Sequence, residues 1–194
     1  MRLTVLCLLV LTVLPPASRA QDVPVDEVIP LESTIKFGVE ASVPIQGTFK
    51  KWDATLTYTS TAVESAVLDI KIYADSVDTG SGMKNGKLKS KDFFNVNEDP
   101  YITFKSTKVV QTSPDTFEVD GDFTIRGVTR REKLELKVLG KETGSATVNG
   151  TMAFDRKEYG MNSGIPFIKI ANRVEVTVAL KVQHVGGPRL VFKQ

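Results

Sequence analysis

Few residues of this sequence have the types and the spacing that catalysis needs. Asp120 and Asp122 stand two positions apart, and neighbouring carboxyl groups can share a proton and serve as acid and base. An alternating pattern places both on the polar face of one strand, which favours a solvated pair over a catalytic one. His184 is the single histidine, so several-histidine metal sites are excluded. We interpret it as a rim residue at the end of the last strand.

Motifs for cofactors are missing as well. The sequence contains no Gly-x-Ser-x-Gly segment, no glycine loop of the kind that cradles phosphate, and no spacing typical of metal ligands. The sole cysteine, Cys7, lies in a segment that we expect to be removed. We therefore expect no cofactor, no metal and no enzymatic activity.

Residues 1–20 have the pattern of a secretory signal peptide. Arg2 precedes an apolar run over residues 3–14, and Ser18 and Ala20 are small residues suitably placed before a cleavage point. Removal of this segment takes two of the 25 basic residues and leaves 23, which equals the number of acidic residues. The sequence thus predicts an exported protein with no net charge, and a neutral balance argues against binding nucleic acid.

The rest of the chain alternates apolar and polar residues, which is typical of antiparallel strands with one wet face. The phase slips at Lys50 and Lys51, as at a β-bulge, within one long bent strand. The eight predicted strands cover residues 35–39, 45–58, 68–74, 102–104, 117–125, 134–138, 148–154 and 174–182. Because no amphipathic helix covers the apolar faces, the pattern favours an all-β, eight-stranded antiparallel up-and-down barrel. A two-sheet sandwich is the alternative.

Turn residues separate several of these strands, and one connection is long. Turns are predicted at residues 113–115, 127–131 and 140–145. The connection over residues 78–94 is basic and rich in glycine, and we expect it to hold a short helix with Ser90 as its N-cap. Such a length is typical of a functional segment, so we expect it to cover one end of the barrel.

The inward face of the predicted barrel contains three glycines, Gly47, Gly121 and Gly150. They indicate either an internal cavity or the relief of crowding between strands, and the pattern leaves both open. The aromatic pair Phe93 and Phe94 ends the long connection. At least one of them is expected to plug or line the barrel end, with anchoring of the connection as the alternative.

Six short motifs occur in order along the chain and together resemble the YceI-like family of bacterial secreted proteins. They are residues 47–52 (GTFKKW), 75–80 (DSVDTG), 92–94 (DFF), 100–106 (PYITFKS), 121–129 (GDFTIRGVT) and 159–161 (YGM). The resemblance covers about residues 28–184. It implies a lipocalin-like barrel over residues 21–185, between the signal peptide at 1–20 and a C-terminal extension at 186–194.

The resemblance further implies a non-catalytic protein of the bacterial periplasm that carries a polyisoprenoid or an isoprenoid quinone inside the barrel. A lipid-like isoprenoid chain is then the expected partner, together with a transient membrane contact. Residues expected to touch the ligand are Phe37, Phe49, Trp52, Ile70, Ile72, Phe93, Phe94, Phe104, Phe123, Ile125, Met152, Phe154 and Met161. The lysines of the long connection, Lys84, Lys87, Lys89 and Lys91, are candidates for a phosphate head group.

The segment 162–173 departs from the family pattern. Its residues at 165, 167, 168 and 170 are apolar where polar residues are usual, and Asn172 replaces an expected acid. This supports a second hypothesis, in which the barrel is a filled structural core and the apolar loop 165–170 contacts a partner protein or a membrane. A third hypothesis, an enzyme acting on a lipid head group, has no supporting set of catalytic residues.

Overall fold

The computed structural model describes residues 25–29, 32–140, 144–164 and 167–193. Within these residues the chain forms eleven strand segments and one α-helix. The strands are β1 (Val25–Val28), β2 (Thr34–Ala41), β3 (Ile45–Phe49), β4 (Trp52–Tyr58), β5 (Ala66–Tyr73), β6 (Val77–Asp78), β7 (Tyr101–Gln111), β8 (Thr116–Ile125), β9 (Val128–Leu139), β10 (Ser145–Asp155) and β11 (Ile170–Gly186), and the helix is α1 (Gly82–Lys89). The predicted signal peptide lies outside the described residues.

Strand pairing reduces these segments to a closed ring of eight strands. Segments β1 and β2 pair with the same edge of β11, so they form one interrupted strand. Segments β3 and β4 pair with β2 and β1, and β5 and β6 pair with β4 and β3. From β5 the order runs through β7, β8, β9 and β10 back to β11, and all neighbours are antiparallel. The prediction of an eight-stranded antiparallel up-and-down barrel is confirmed.

The three interrupted strands bend side by side. The predicted phase slip at Lys50 and Lys51 separates β3 from β4, and it faces a 3-10 turn at Ala74–Ser76 in the neighbouring strand. Ser76 joins the two bends, because the backbone N–H of Lys51 donates to its Oγ at 3.0 Å. Ser33 has the same role at the third bend, where the backbone N–H of Lys181 donates to its Oγ at 2.8 Å. Serine hydroxyls thus satisfy backbone groups that the bends remove from the ladders.

Two predicted boundaries were wrong for reasons of local chemistry. Strand β7 continues to Gln111, and the alternation is lost because the register shifts at Thr107, between Ser106 and Lys108. The turn between β8 and β9 is only Arg126 and Gly127, both with positive φ. This is the backbone geometry of a two-residue hairpin. The predicted turn residues 128–131 belong to β9 instead.

The predicted helix exists, but its N-cap was misplaced. Ser81 precedes α1, and its Oγ accepts the backbone N–H of Lys84 at 3.5 Å. Ser90 lies at the opposite end, where its hydroxyl donates to the carbonyl of Lys87 at 2.7 Å. The helix therefore starts nine residues earlier than predicted, and Phe93 and Phe94 follow it in a turn rather than lying within it.

The three inward glycines relieve crowding and do not create the cavity. The ring of Phe37 covers Gly47, and the ring of Phe104 covers Gly121. Leu136 and Val178 approach Gly150 from both neighbouring strands. Each glycine thus makes room for large side chains, which answers the question that the sequence left open.

Candidate functional site

The barrel interior contains two apolar chambers. The upper chamber lies at the end that carries α1 and measures about 70 Å³. The lower chamber lies at the opposite end, where β1 closes the ring, and measures about 130 Å³. A cavity needs about 10–15 Å³ of such volume to hold one water molecule. The lower chamber therefore has room for roughly ten methylene-sized groups and the upper one for roughly five or six.

A packed layer separates the two chambers, as successive inward residues along each strand show. On β5, Leu68 lines the lower chamber, Ile72 lines the upper one, and Ile70 between them lines neither. On β8 the corresponding residues are Val119, Phe123 and Gly121. Ten inward residues that line neither chamber form the middle layer: Trp52, Ala54, Ile70, Phe104, Ser106, Gly121, Leu134, Gly150, Met152 and Val178.

An aromatic cluster closes the upper chamber. Phe94 packs its ring 6.2 Å from Phe37 and 5.9 Å from Phe49, measured between centroids. Phe93 and Leu88 are buried beside it and also line the chamber. The backbone N–H of Phe94 donates to the carbonyl of Leu88 at 2.9 Å, which fixes the pair below the helix. The long connection therefore covers the upper end with its own apolar side chains.

Arg156 is a buried cation that ties the loop after β10 to the barrel wall. Its Nε donates to the carbonyl of Ala171 at 3.0 Å, and its Nη1 donates to the carbonyls of Met161 and Ser163. Among the described residues no carboxylate forms an ion pair with it. Three backbone carbonyls therefore compensate the guanidinium charge, while the side chain also borders the upper chamber.

A second anchor under the upper end is Tyr159, which is fully buried. Its ring lies 5.5 Å from Phe123 and 5.2 Å from Phe154, and its hydroxyl donates to Oε1 of Glu132 at 2.6 Å. Burial, followed by this hydrogen bond, raises the pKa of Tyr159 well above its usual value. The phenol thus stays protonated and holds the aromatic wall of the upper chamber in place.

Replacement of Tyr159 by phenylalanine tests this anchor. The ring contacts remain, but the Glu132 carboxylate loses a donor, so we expect the free energy of unfolding to fall by about 1.5 kcal/mol. Urea unfolding followed by circular dichroism measures the difference. Exchange of the exposed Tyr101 for phenylalanine is the matched control and should cost less than about 0.5 kcal/mol. Equal losses in the two variants would contradict the role of the hydroxyl.

The lower chamber has its polar side chains at one edge. Nδ1 of His184 lies 2.8 Å from Oδ1 of Asp26 and 3.3 Å from the hydroxyl of Tyr58, while its Nε2 lies 3.0 Å from the carbonyl of Gly187. Burial, and then the Asp26 carboxylate, raises the pKa of Tyr58. Arg189 and Ser145 complete this edge. The remaining lining, from Leu56 on β4 to Val182 on β11, is largely apolar.

Residues 187–193, hereafter the strap, cross the lower end of the barrel. Leu190 and Phe192 of the strap line the lower chamber, and the ring of Phe192 lies 5.8 Å from that of Phe117. The backbone N–H of Val191 donates to the carbonyl of Thr61 at 2.8 Å. Lys193 exchanges two hydrogen bonds of 2.8 Å with the side chain of Gln111. The strap is thus a cover whose contacts lie mostly at the chamber rim.

All thirteen predicted ligand-contacting residues are buried in the barrel interior, but they do not form one site. Nine line the upper chamber: Phe37, Phe49, Ile72, Phe93, Phe94, Phe123, Ile125, Phe154 and Met161. Trp52, Ile70, Phe104 and Met152 lie in the middle layer. Their contact with a ligand stays a prediction.

Sequence reasoning missed the lower chamber altogether. Leu56, Leu68 and Leu180 follow the strand alternation and could have been included on that signal. Leu190 and Phe192 stand in a run of three apolar residues with Val191, so no apolar–polar alternation marked them. The pairing of His184 with Asp26 had no such signal, because 158 residues separate them.

The other residues considered for chemistry lie outside the chambers. Asp122 is on the outer face and pairs with Arg131 at 3.3 Å, so the two aspartates belong to the solvated face. Lys87 pairs with Asp92 at 2.5 Å across the turn that follows α1. No group of three or more histidine, cysteine, aspartate or glutamate side chains suited to a metal occurs within the described ranges. In those ranges no helix is long and apolar enough to cross a bilayer.

The closed antiparallel ring with its apolar interior defines a lipocalin-like barrel. The family model that describes the YceI-like domain matches residues 27–182, so the chain belongs to this family. It is 35% identical to the protein YceI of Shigella flexneri over 97 residues, which are 50% of each chain. It is 29% identical to a UPF0312 protein of Pseudomonas savastanoi over 127 residues, 63% of this chain and 66% of that one. The first of these matches spans about half the length of the relative.

Solved structures show the same fold at low sequence identity. BcnA of Burkholderia cenocepacia superposes with a TM-score of 0.73 at 22% identity, covering 80% of this chain and 99% of that one. A polyisoprenoid binding domain from Saccharophagus degradans, implicated in plant cell wall breakdown, superposes with a TM-score of 0.63 at 13% identity. That match covers 82% of this chain and 98% of the domain.

Proposed function

We propose that this protein is a non-catalytic periplasmic carrier that holds one long-chain amphiphile, a polyisoprenoid or an isoprenoid quinone, inside the barrel. The observation that carries the proposal is the pair of apolar chambers enclosed by a lipocalin-like wall. Membership of the YceI-like family and the likeness to a polyisoprenoid binding domain support the ligand class. The signal-peptide pattern of residues 1–20 supports export.

The size of the chambers sets how much of the ligand the barrel encloses. Together they have room for on the order of fifteen methylene-sized groups, or about three isoprene units. Burial of a CH₂ group contributes about 0.8 kcal/mol, so three units contribute roughly 12 kcal/mol before the costs of association. A single chain that fills both chambers must displace part of the middle layer. Met152 is suited to this, because its unbranched side chain changes rotamer readily.

Solvent extraction tests the proposed function. The protein is purified from its native host without detergent, extracted with chloroform and methanol, and the extract is analysed by mass spectrometry. We expect about one isoprenoid-type amphiphile per chain. Val148 lines the lower chamber and Val176 lines the upper one. The matched control is Val148→Phe combined with Val176→Phe, which fills both chambers and should carry less than a tenth of the wild-type amount, on the order of the background. Folded wild-type protein with consistently empty chambers would contradict the proposal.

A second candidate function, contact with a membrane surface, rests on the loop before β11. Phe167 is fully exposed and has positive φ, although phenylalanine is apolar and rarely adopts that conformation. Lys169, two residues further on, is exposed, and its backbone N–H donates to the Ser42 hydroxyl at 3.3 Å, which places this loop beside the loop that carries Val43. A loop that presents an exposed ring and a cation suits an anionic bilayer surface. Of the predicted contact loop 165–170, Ile165 lies outside the described residues, and the prediction was wrong for Ile170, which begins β11 and lines the upper chamber.

Changing Phe167 and Ile168 to serine separates this contact from ligand binding. We expect the double variant to co-float with phosphatidylglycerol vesicles about fivefold less than wild type, because the apolar contact is lost. Its extracted lipid should be unchanged. Exchange of the exposed Val110, on the barrel wall, for serine is the control. Wild-type flotation by the double variant would exclude this loop as the membrane contact.

A further inference from the structure

The two ends of the barrel differ in how they are closed. At the upper end, Phe94 is buried in an aromatic cluster, and Arg126 donates to the carbonyl of Lys91 at 3.0 Å, which binds the connection to the β8–β9 hairpin. At the lower end the cover is the strap, a segment of seven residues that follows β11 outside the matched family domain. The strap contacts the rim through one isolated bridge, between Ala62 and Val191, and through hydrogen bonds to Thr61 and Gln111 rather than through a strand ladder. Segments with few such contacts open locally at a low cost in free energy. The lower end is therefore the more easily opened of the two.

Two polar side chains at the lower rim have different roles: His184 connects β1 to the strap, and Arg189 supplies a positive charge. Nδ1 of His184 lies 2.8 Å from Asp26 Oδ1, and its Nε2 lies 3.0 Å from the carbonyl of Gly187. The imidazole therefore connects β1 to the first residue of the strap. Arg189 is the arginine of the chamber lining, and among the described residues no carboxylate lies within ion-pair distance of its guanidinium.

Tyr58 adds a neutral donor beside this cation. Its side chain is buried and lines the lower chamber, and its hydroxyl faces Nδ1 of His184 at 3.3 Å. A phenol hydroxyl can rotate its proton toward a ligand oxygen in the chamber, so it is available as a donor. A guanidinium and a phenol hydroxyl at the edge of an apolar chamber form a suitable recognition pair for an anionic head group.

We propose that the lower end is the ligand port: the strap opens to admit the chain, and an anionic head, phosphate or carboxylate, settles between Arg189 and Tyr58. This inference rests on the proposed function and places the head group at the end opposite to the lysines of α1. The tail points through the middle layer toward the upper chamber. The strap closes behind it with Leu190 and Phe192 against the chain.

A reversible cross-link of the strap tests the port. Ala62 and Val191 are partners in a parallel β-bridge, and strand neighbours about 4.8 Å apart are within the span of a disulfide. Ala62→Cys with Val191→Cys, made in a chain without its predicted signal peptide, introduces the only two cysteines. Diamide oxidises the pair and dithiothreitol reduces it. The single tryptophan, Trp52, lies in the middle layer and reports arrival of the probe by its fluorescence.

Farnesyl phosphate and farnesol are the probes, with and without the anionic head. We expect the oxidised protein to bind farnesyl phosphate at least about tenfold more slowly than the reduced protein. Arg189→Gln should weaken binding of farnesyl phosphate about tenfold and change that of farnesol by less than about twofold. Lys84→Gln, on α1 at the upper end, is the matched charge control and should alter neither.

Opposite results identify which proposal fails. Unchanged association after oxidation, or a loss with Lys84→Gln in place of Arg189→Gln, would overturn the lower port while leaving a ligand-binding barrel. Equal losses of both probes with Arg189→Gln would overturn the head-group assignment. Wild-type protein that binds neither probe nor carries lipid from its host would refute the proposed function itself, and the port with it.

Discussion

Replacement of Gly121 by alanine is expected to lower the free energy of unfolding by about 3 kcal/mol. A Cβ atom at this position would lie 2.8 Å from the backbone carbonyl of Lys105 and would also enter the ring of Phe104. The ring can turn, but the carbonyl belongs to the ladder between β7 and β8 and cannot move without breaking its hydrogen bonds. Urea unfolding monitored by circular dichroism gives the difference from the shift of the midpoint.

Gly38 is the matched control for this variant. It also lies within a strand, but a Cβ atom there would meet only Cγ of Gln46 at 3.8 Å, an ordinary contact. Alanine at Gly38 should therefore leave stability unchanged or raise it by up to about 1 kcal/mol, since glycine has more freedom in the unfolded chain. Similar losses at both positions would show that strand glycines matter through backbone freedom rather than through the packing of the middle layer.

Replacement of Arg156 by methionine is expected to have a comparable effect, about 3 kcal/mol. Methionine keeps much of the apolar stem that borders the upper chamber, but it leaves the carbonyls of Met161, Ser163 and Ala171 without their shared donor. The loop between β10 and β11 should then separate from the wall. Hydrogen exchange should increase over residues 160–172 while the backbone amides of β8 stay protected.

Lysine at position 156 distinguishes charge from geometry. An ammonium keeps the positive charge, but it cannot reproduce the planar fork that reaches three carbonyls. We expect Arg156→Lys to recover less than half of the lost stability, roughly 1 kcal/mol. Full recovery would mean that the loop responds to the charge alone and that the observed hydrogen bonds are not needed.

The barrel could be predicted from the sequence because the pattern that specifies each strand lies within a few consecutive residues. Strict alternation along β8, from Phe117 to Ile125, fixes which side chains face inward, and eight such patterns without an amphipathic helix require closure. The bend at Lys50 and Lys51 was visible as a slip of the phase. The same rule failed at Thr107, where a bulge changes the phase inside β7 and hides the second half of that strand.

The division of the interior could not be predicted in the same way. The alternating pattern predicts that Ile70 and Ile72 face inward. It does not determine whether a side chain of a neighbouring strand fills the space beside each of them. That depends on cross-strand register, which places Phe104 over Gly121 and leaves space around Leu68. The contribution of the strap to the lower chamber likewise depends on where the last residues of the chain return.

Methyl NMR of the methionines shows whether the ligand binds inside the barrel. Besides Met1 the chain has three methionines: Met83 is exposed on α1, Met152 lies in the middle layer, and Met161 lines the upper chamber. With ¹³C-labelled methyl groups and added farnesyl phosphate, we expect large chemical-shift changes of the Met152 and Met161 methyl signals and an unchanged Met83 signal. A shift of Met83 alone would contradict an internal site and place the ligand on the outer surface.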